Sequence, residues 1–105
     1  MSDRIRKINE LIREEASRAI NENVSHDFFI TVTNIETSRD LKNTTIWVSI
    51  MNNQEKAFEA LKEKKSAIQH EITSKMATKY TPKIEFKIDR SLDHAMKIEE
   101  LLKND

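Results

Sequence analysis

The 105-residue chain has no glycine, no cysteine and a single proline, Pro82. Without glycine, no phosphate-cradling loop of the P-loop or Rossmann kind can form, because each needs backbone positions that only glycine tolerates. The nucleophile elbow of the serine hydrolases is excluded for the same reason. Without cysteine there is no disulfide frame, no thiolate zinc site and no cysteine nucleophile, which fits a reducing compartment. No apolar run approaches the roughly 18 residues of a membrane span. Met1-Ser2-Asp3 leads straight into charged, helix-like sequence without a signal-peptide core, so the expected address is cytoplasmic. Neither sign of charge is in excess, with 18 basic and 18 acidic residues, so charge has to be read by region. A hydrophobic share of 37% suffices for one small core. A single domain over residues 1–105 follows, with no room for a second core or a deep enclosed active site.

From Asp3 to about Glu22 the apolar residues Ile5, Ile8, Leu11, Ile12, Ala16, Ala19 and Ile20 fall at three-and-four spacing and paint one stripe on a helix. Phe28 to Ile35 is dense in aromatic and β-branched residues and reads as a strand. Phe28, Ile30 and Val32 share a face but Ile35 is out of phase, which predicts a β-bulge near Thr33 or Asn34. Thr44 to Met51 is a second strand with Ile46, Val48 and Ile50 inward, pairing antiparallel with the first across the polar loop Glu36 to Asn43.

Asn52 and Glu55 make a capping-box-like start to a second helix, marked by Ala57, Phe58 and Leu61 and continued by Ile68, Ile72 and Met76. Within it, Ser66-Ala67-Ile68-Gln69 matches the S-x-x-Q capping box, and predicts a kink with Ser66 and Gln69 as the cap residues. Leu61 and Ile68 are seven apart and stay on one face either way. Pro82 ends the helical region, and Ile84, Phe86 and Ile88 alternate with Lys83, Glu85 and Lys87 as a third, half-buried strand. Ser91 is expected to cap a last helix in which Leu92, Ile98, Leu101 and Leu102 close over the core. The fold class is α+β in the order α-β-β-α-(kink)-α-β-α, a three-stranded sheet with helices packed on one face.

This order resembles a type II KH-like domain, and four stretches resemble the ribosome-binding factor A family in particular. They are Ile30 to Thr33 running into Glu36-Thr37-Ser38-Arg39-Asp40-Leu41, then Ile46-Trp47-Val48-Ser49, then Pro82-Lys83-Ile84-Glu85-Phe86, and finally Asp89-Arg90-Ser91-Leu92 leading to Ile98, Leu101 and Leu102. The resemblance implies a factor that binds the small ribosomal subunit and its rRNA during late maturation and has no catalytic activity or cofactor; off the ribosome a monomer is expected. It also implies that the GXXG loop of ordinary KH domains is replaced by an Ala-x-Gly kink. Here that kink falls on Lys64-Lys65-Ser66, with neither the alanine nor the glycine.

Residues 62 to 90 carry eight basic side chains, Lys62, Lys64, Lys65, Lys75, Lys79, Lys83, Lys87 and Arg90, against four acidic ones. Together with Arg39 in the loop they are the candidate phosphate contacts, since lysines near a polyanion bind by releasing counterions. Trp47 and Phe29, alternating away from the core, are candidates for base stacking on an open sheet. His26, His70 and His94 are far apart in sequence, with no neighbouring ligand at metal spacing, so no metal site is expected. A reading from another class is a protein-interaction module that docks its partner through the open sheet face or first helix, without RNA contact. Salt and nuclease sensitivity of binding separates the two.

Overall fold

A computed structural model describes residues 3–77 and 81–91. The first helix, α1, spans Asp3–Asn23 and buries Ile12, Ala16, Ala19 and Ile20 along the stripe read from the sequence. Two strands follow, β1 (Ile30–Thr37) and β2 (Asn43–Ile50), then the helices α2 (Gln54–Glu63) and α3 (Lys65–Lys75), then β3 (Lys83–Ile88). The sheet order is β1-β2-β3, with β1 antiparallel and β3 parallel to β2. A parallel return to the same sheet needs a long crossover, and the α2–α3 pair supplies it.

The register of β1 against β2 slips between Val32 and Asn34. Thr33 is the extra residue, and the bulge returns Ile35 to the core side with Val32, as its phase requires. The inner face of the sheet is completed by Ile46, Val48, Ile50, Ile84 and Phe86, and meets Ile12 and Ala16 of α1, Leu61 of α2 and Ile68 and Ile72 of α3 in one cluster. Burying each such branched aliphatic side chain contributes about 1.5–3 kcal/mol, so this layer is what holds the helices on one face.

Two local expectations are corrected. The Asn52–Glu55 box does not form: α2 starts from Asn53 at φ 48°, without a side-chain cap. Asn52 is drawn off instead to the β1 entry, accepting from Phe29 N–H at 3.1 Å and donating to Asp27 C=O at 2.9 Å. The Ser66–Gln69 box is also absent. The break falls on Lys64, at φ −95° and ψ 6°, and no side chain caps α3. Lys64 N–H still donates to Ala60 C=O, and its own carbonyl accepts from Ile68 N–H, so the helical ladder runs through the kink. Ser66 sits exposed inside the first turn of α3. At the end of β3 the carboxylate of Asp89 accepts both the amide and the hydroxyl of Ser91. The helix expected after it, with Leu92, Ile98, Leu101 and Leu102, lies outside the described residues, as do His94 and Lys79.

Candidate nucleic-acid interface

Of the nine candidate cations, the eight among the described residues do not share one surface. Lys65, at the first position of α3, and Lys83, at the mouth of β3, line a cavity of about 220 Å³ with Asn43, Thr45 and Glu85. Lys83 N–H donates to Lys42 C=O at 2.8 Å, which brings the β1–β2 loop to the same end of the sheet. Lys64 adjoins Lys65 at the kink, and Arg39 stands exposed in the loop. The loop holds its shape through Asp40, whose carboxylate accepts from Ser38 Oγ at 2.6 Å and Lys42 N–H at 3.1 Å. Those two bonds, the Ser38 hydroxyl first, hold its carboxyl below the usual range. With Asp40 so engaged, Arg39 forms no ion pair among the described residues.

The remaining cations lie elsewhere. Lys62 is paired with Glu59 at 3.0 Å and sits over the Phe58 ring. Lys75 closes α3, ten residues and about 15 Å from Lys65 at the helical rise. Lys87 covers the Trp47 ring at 5.7 Å, and Arg90 follows β3 at its far end. Among the described cations, Lys65 and Lys83 line one cavity and Lys42 is joined to Lys83 through the backbone, so the eight do not form a single row. Nothing in the sequence singles out Lys42, because its place is set by pairing with β3 and not by its neighbours in the chain.

The two stacking candidates, Trp47 and Phe29, are not cross-strand neighbours. Trp47 is opposite Asn34, whereas the Phe29 carbonyl accepts from Met51 N–H, four residues beyond Trp47 and just past the end of β2. At about 3.4 Å per residue the two rings are some 13 Å apart along the strand. Trp47 is half-buried, and its indole N–H is shielded and finds no acceptor among the described residues. The Thr33 hydroxyl, offered by the bulge, donates to the Asp89 carboxylate at 2.7 Å, with the Trp47 carbonyl as a second acceptor at 3.3 Å. Asp89 N–H in turn donates to Val48 C=O. The Ser91 hydroxyl, the Ser91 amide and then Thr33 keep the Asp89 carboxyl below its ordinary value.

Gln69 has a role that the sequence did not disclose. Its carboxamide accepts from Ile84 N–H at 2.8 Å and donates to Pro82 C=O at 3.1 Å, so it fastens α3 to the free edge of β3. This fixes Lys65 and Lys83 relative to one another.

An α-β-β-α-α-β chain with this mixed sheet, helices on one face and a kinked helix pair in place of a glycine loop is a type II KH-like domain. The crystal structure of ribosome-binding factor A from Thermus thermophilus superposes with a TM-score of 0.74 at 16% identity, covering 83% of this chain and 98% of that one. The Thermus thermophilus homology model fitted into the cryo-EM map of a complex of 30S with ribosome-binding factor A gives 0.64 at 17% identity, over 87% and 97%. The chain belongs to the ribosome-binding factor A family, whose model matches residues 4–102. Among its relatives, ribosome-binding factor A of Caldanaerobacter subterraneus subsp. tengcongensis is 33% identical over 98% of this chain and 89% of its own length. That of Chlamydia pneumoniae is 34% identical over 94% and 88%.

Proposed function

We propose that the chain is an assembly factor that binds the small ribosomal subunit and its rRNA, and assists late maturation and processing of that rRNA. The observation that carries this reading is family membership over nearly the whole chain. The kink end of the domain, where Lys65 and Lys83 line one cavity and Lys42 joins Lys83 through the backbone, offers lysines to phosphates. The factor works as one KH-like domain over residues 1–105, a monomer off the ribosome, in the cytoplasm. It carries out no reaction and uses no cofactor: its part is to hold RNA, through counterion release at the lysines. No helix among the described residues is long and apolar enough to cross a membrane.

Sedimentation with ribosomal subunits tests the proposal. The protein is expected to travel with free small subunits or their precursors, and much less with complete ribosomes or large subunits. Cells lacking it are expected to accumulate incompletely processed small-subunit rRNA. Equal association with large subunits, or normal processing in the deletion strain, overturns the assignment.

A further inference from the structure

A protein recognises a base in single-stranded RNA by stacking an aromatic ring on it or by hydrogen bonds to its Watson–Crick edge. No aromatic ring lines the cavity that Lys65 and Lys83 share. Trp47 pairs with Lys87, four residues along β3 from Lys83, and Lys87 covers its ring. What the cavity does border is the edge of β3, through Lys83 and Ile84.

Lys83 turns its N–H toward β2, where it donates to Lys42 C=O. Peptide groups alternate in direction along a strand, so the pair that flanks Lys83, Pro82 C=O and Ile84 N–H, points outward. In a parallel sheet one residue of a further strand would take such a carbonyl and amide together. The Gln69 carboxamide takes them instead: Oε1 accepts from Ile84 N–H at 2.8 Å and Nε2 donates to Pro82 C=O at 3.1 Å. Gln69 is half-buried and stands one turn beyond Lys65 on α3, about 6 Å along the axis. A carboxamide presents a donor and an acceptor side by side, as the Watson–Crick edge of a nucleobase does.

We infer that Gln69 fills the base-reading position of this surface, so that RNA is held there by its ribose-phosphate backbone whatever its bases. This rests on the assembly-factor reading above and specifies the ligand of the kink end. Phosphates reach Lys65 and Lys83 through charge, which carries no sequence information. A base arriving beside them meets a donor and an acceptor that are already satisfied. Displacing Gln69 exchanges two hydrogen bonds for two others and unfastens α3 from β3, so the exchange brings no net gain.

The test is binding of the whole chain, at low salt, to three labelled single-stranded octamers: oligouridylate, oligocytidylate and a base-free ribose-phosphate oligomer. The parent chain is expected to bind all three within twofold of one another. Gln69→Ala uncovers the edge, and the two base-bearing octamers are then expected to bind at least fivefold tighter than the base-free one. A purely structural role for Gln69 changes all three equally, and that result in the folded variant overturns the inference. In the 15N-labelled parent, the side-chain NH2 signals of Gln69 are expected to stay in their bonded positions when the octamers bind. Together with the parent's affinities, this decides the matter if Gln69→Ala fails to fold. A spread wider than twofold in the parent, or release of the Gln69 NH2 signals to solvent positions, overturns the inference while leaving small-subunit association intact. Failure of all three octamers to bind overturns it too, and sedimentation with small subunits then shows separately whether the assembly-factor reading stands.

Discussion

Both ends of the Gln69 carboxamide are engaged at the mouth of β3, by Pro82 and Ile84, while the Ser66 hydroxyl has no hydrogen-bond partner among the described residues. Gln69→Leu leaves Ile84 N–H and Pro82 C=O without partners in a half-buried setting, and an unsatisfied group of this kind costs about 1–3 kcal/mol. Ser66→Ala is expected to change stability by less than about 0.5 kcal/mol, in the favourable direction if at all, because alanine is the better helix former. Urea melts of the two variants give the ranking. Asp89 makes a further residue-scale prediction. Its carboxyl is held low by Ser91 and Thr33 in the folded chain, so the stabilisation is present above the unfolded value, about 3.9. It is lost as pH falls through the folded value. Stability followed below about pH 4 is therefore expected to decline less steeply in Asp89→Asn than in the parent.

At the scale of elements, the kink between α2 and α3 depends on burial more than on any residue at the break. Lys64 has negative φ, so neither glycine nor a cap is required there, and Lys64→Ala is expected to stay within about 0.5 kcal/mol of the parent. Leu61 and Ile68, fully buried on either side of it, set the angle at which both helices reach the sheet. Truncating either to alanine is expected to cost about 2–5 kcal/mol in the same melts. Left-handed backbone is needed at Asn53 instead, at the start of α2, with φ 48° in a chain that has no glycine. Because the Asn53 side chain caps nothing, substitution isolates the backbone effect: Asn53→Ala is expected to lose about 1 kcal/mol and Asn53→Gly to lose little or gain.

For the whole molecule, the distribution of charge predicts an order among variants in small-subunit binding. Lys65→Glu with Lys83→Glu changes two cations that share one cavity. This pair is expected to weaken binding most and to flatten the salt dependence of log K by roughly 0.7–0.9 for each phosphate no longer neutralised. Lys75→Glu at the far end of α3, and Lys87→Glu on the sheet face, are expected to do less. Lys62→Glu is expected to do least, since its ammonium is already paired with Glu59. Affinity measured at several salt concentrations for the four variants checks the order.

Periodicity alone determined a great deal here. The α1 stripe, the alternation in β2 and β3 and the slipped phase of Ile35 are short-range patterns, and each met its element, the bulge included, because burial of one face fixes register locally. Four stretches of ordinary residues in the right order carried the family. Polar side chains were another matter. Ser66-x-x-Gln69 and Asn52-x-x-Glu55 both fit a capping box, yet Gln69 bonds β3 and Asn52 bonds the β1 entry. A side-chain amide takes whichever unpaired backbone group the tertiary fold puts nearest, and sequence spacing does not record which that is. The cations behave in the same way: eight lysines and arginines between residues 62 and 90 are a single cluster in the chain. The parallel pairing of β3 with β2 is what separates them, joining Lys42 to Lys83 and sending Lys87 and Arg90 to the other end. Long-range pairing decides proximity, and one chain's local pattern contains only the face each residue will take.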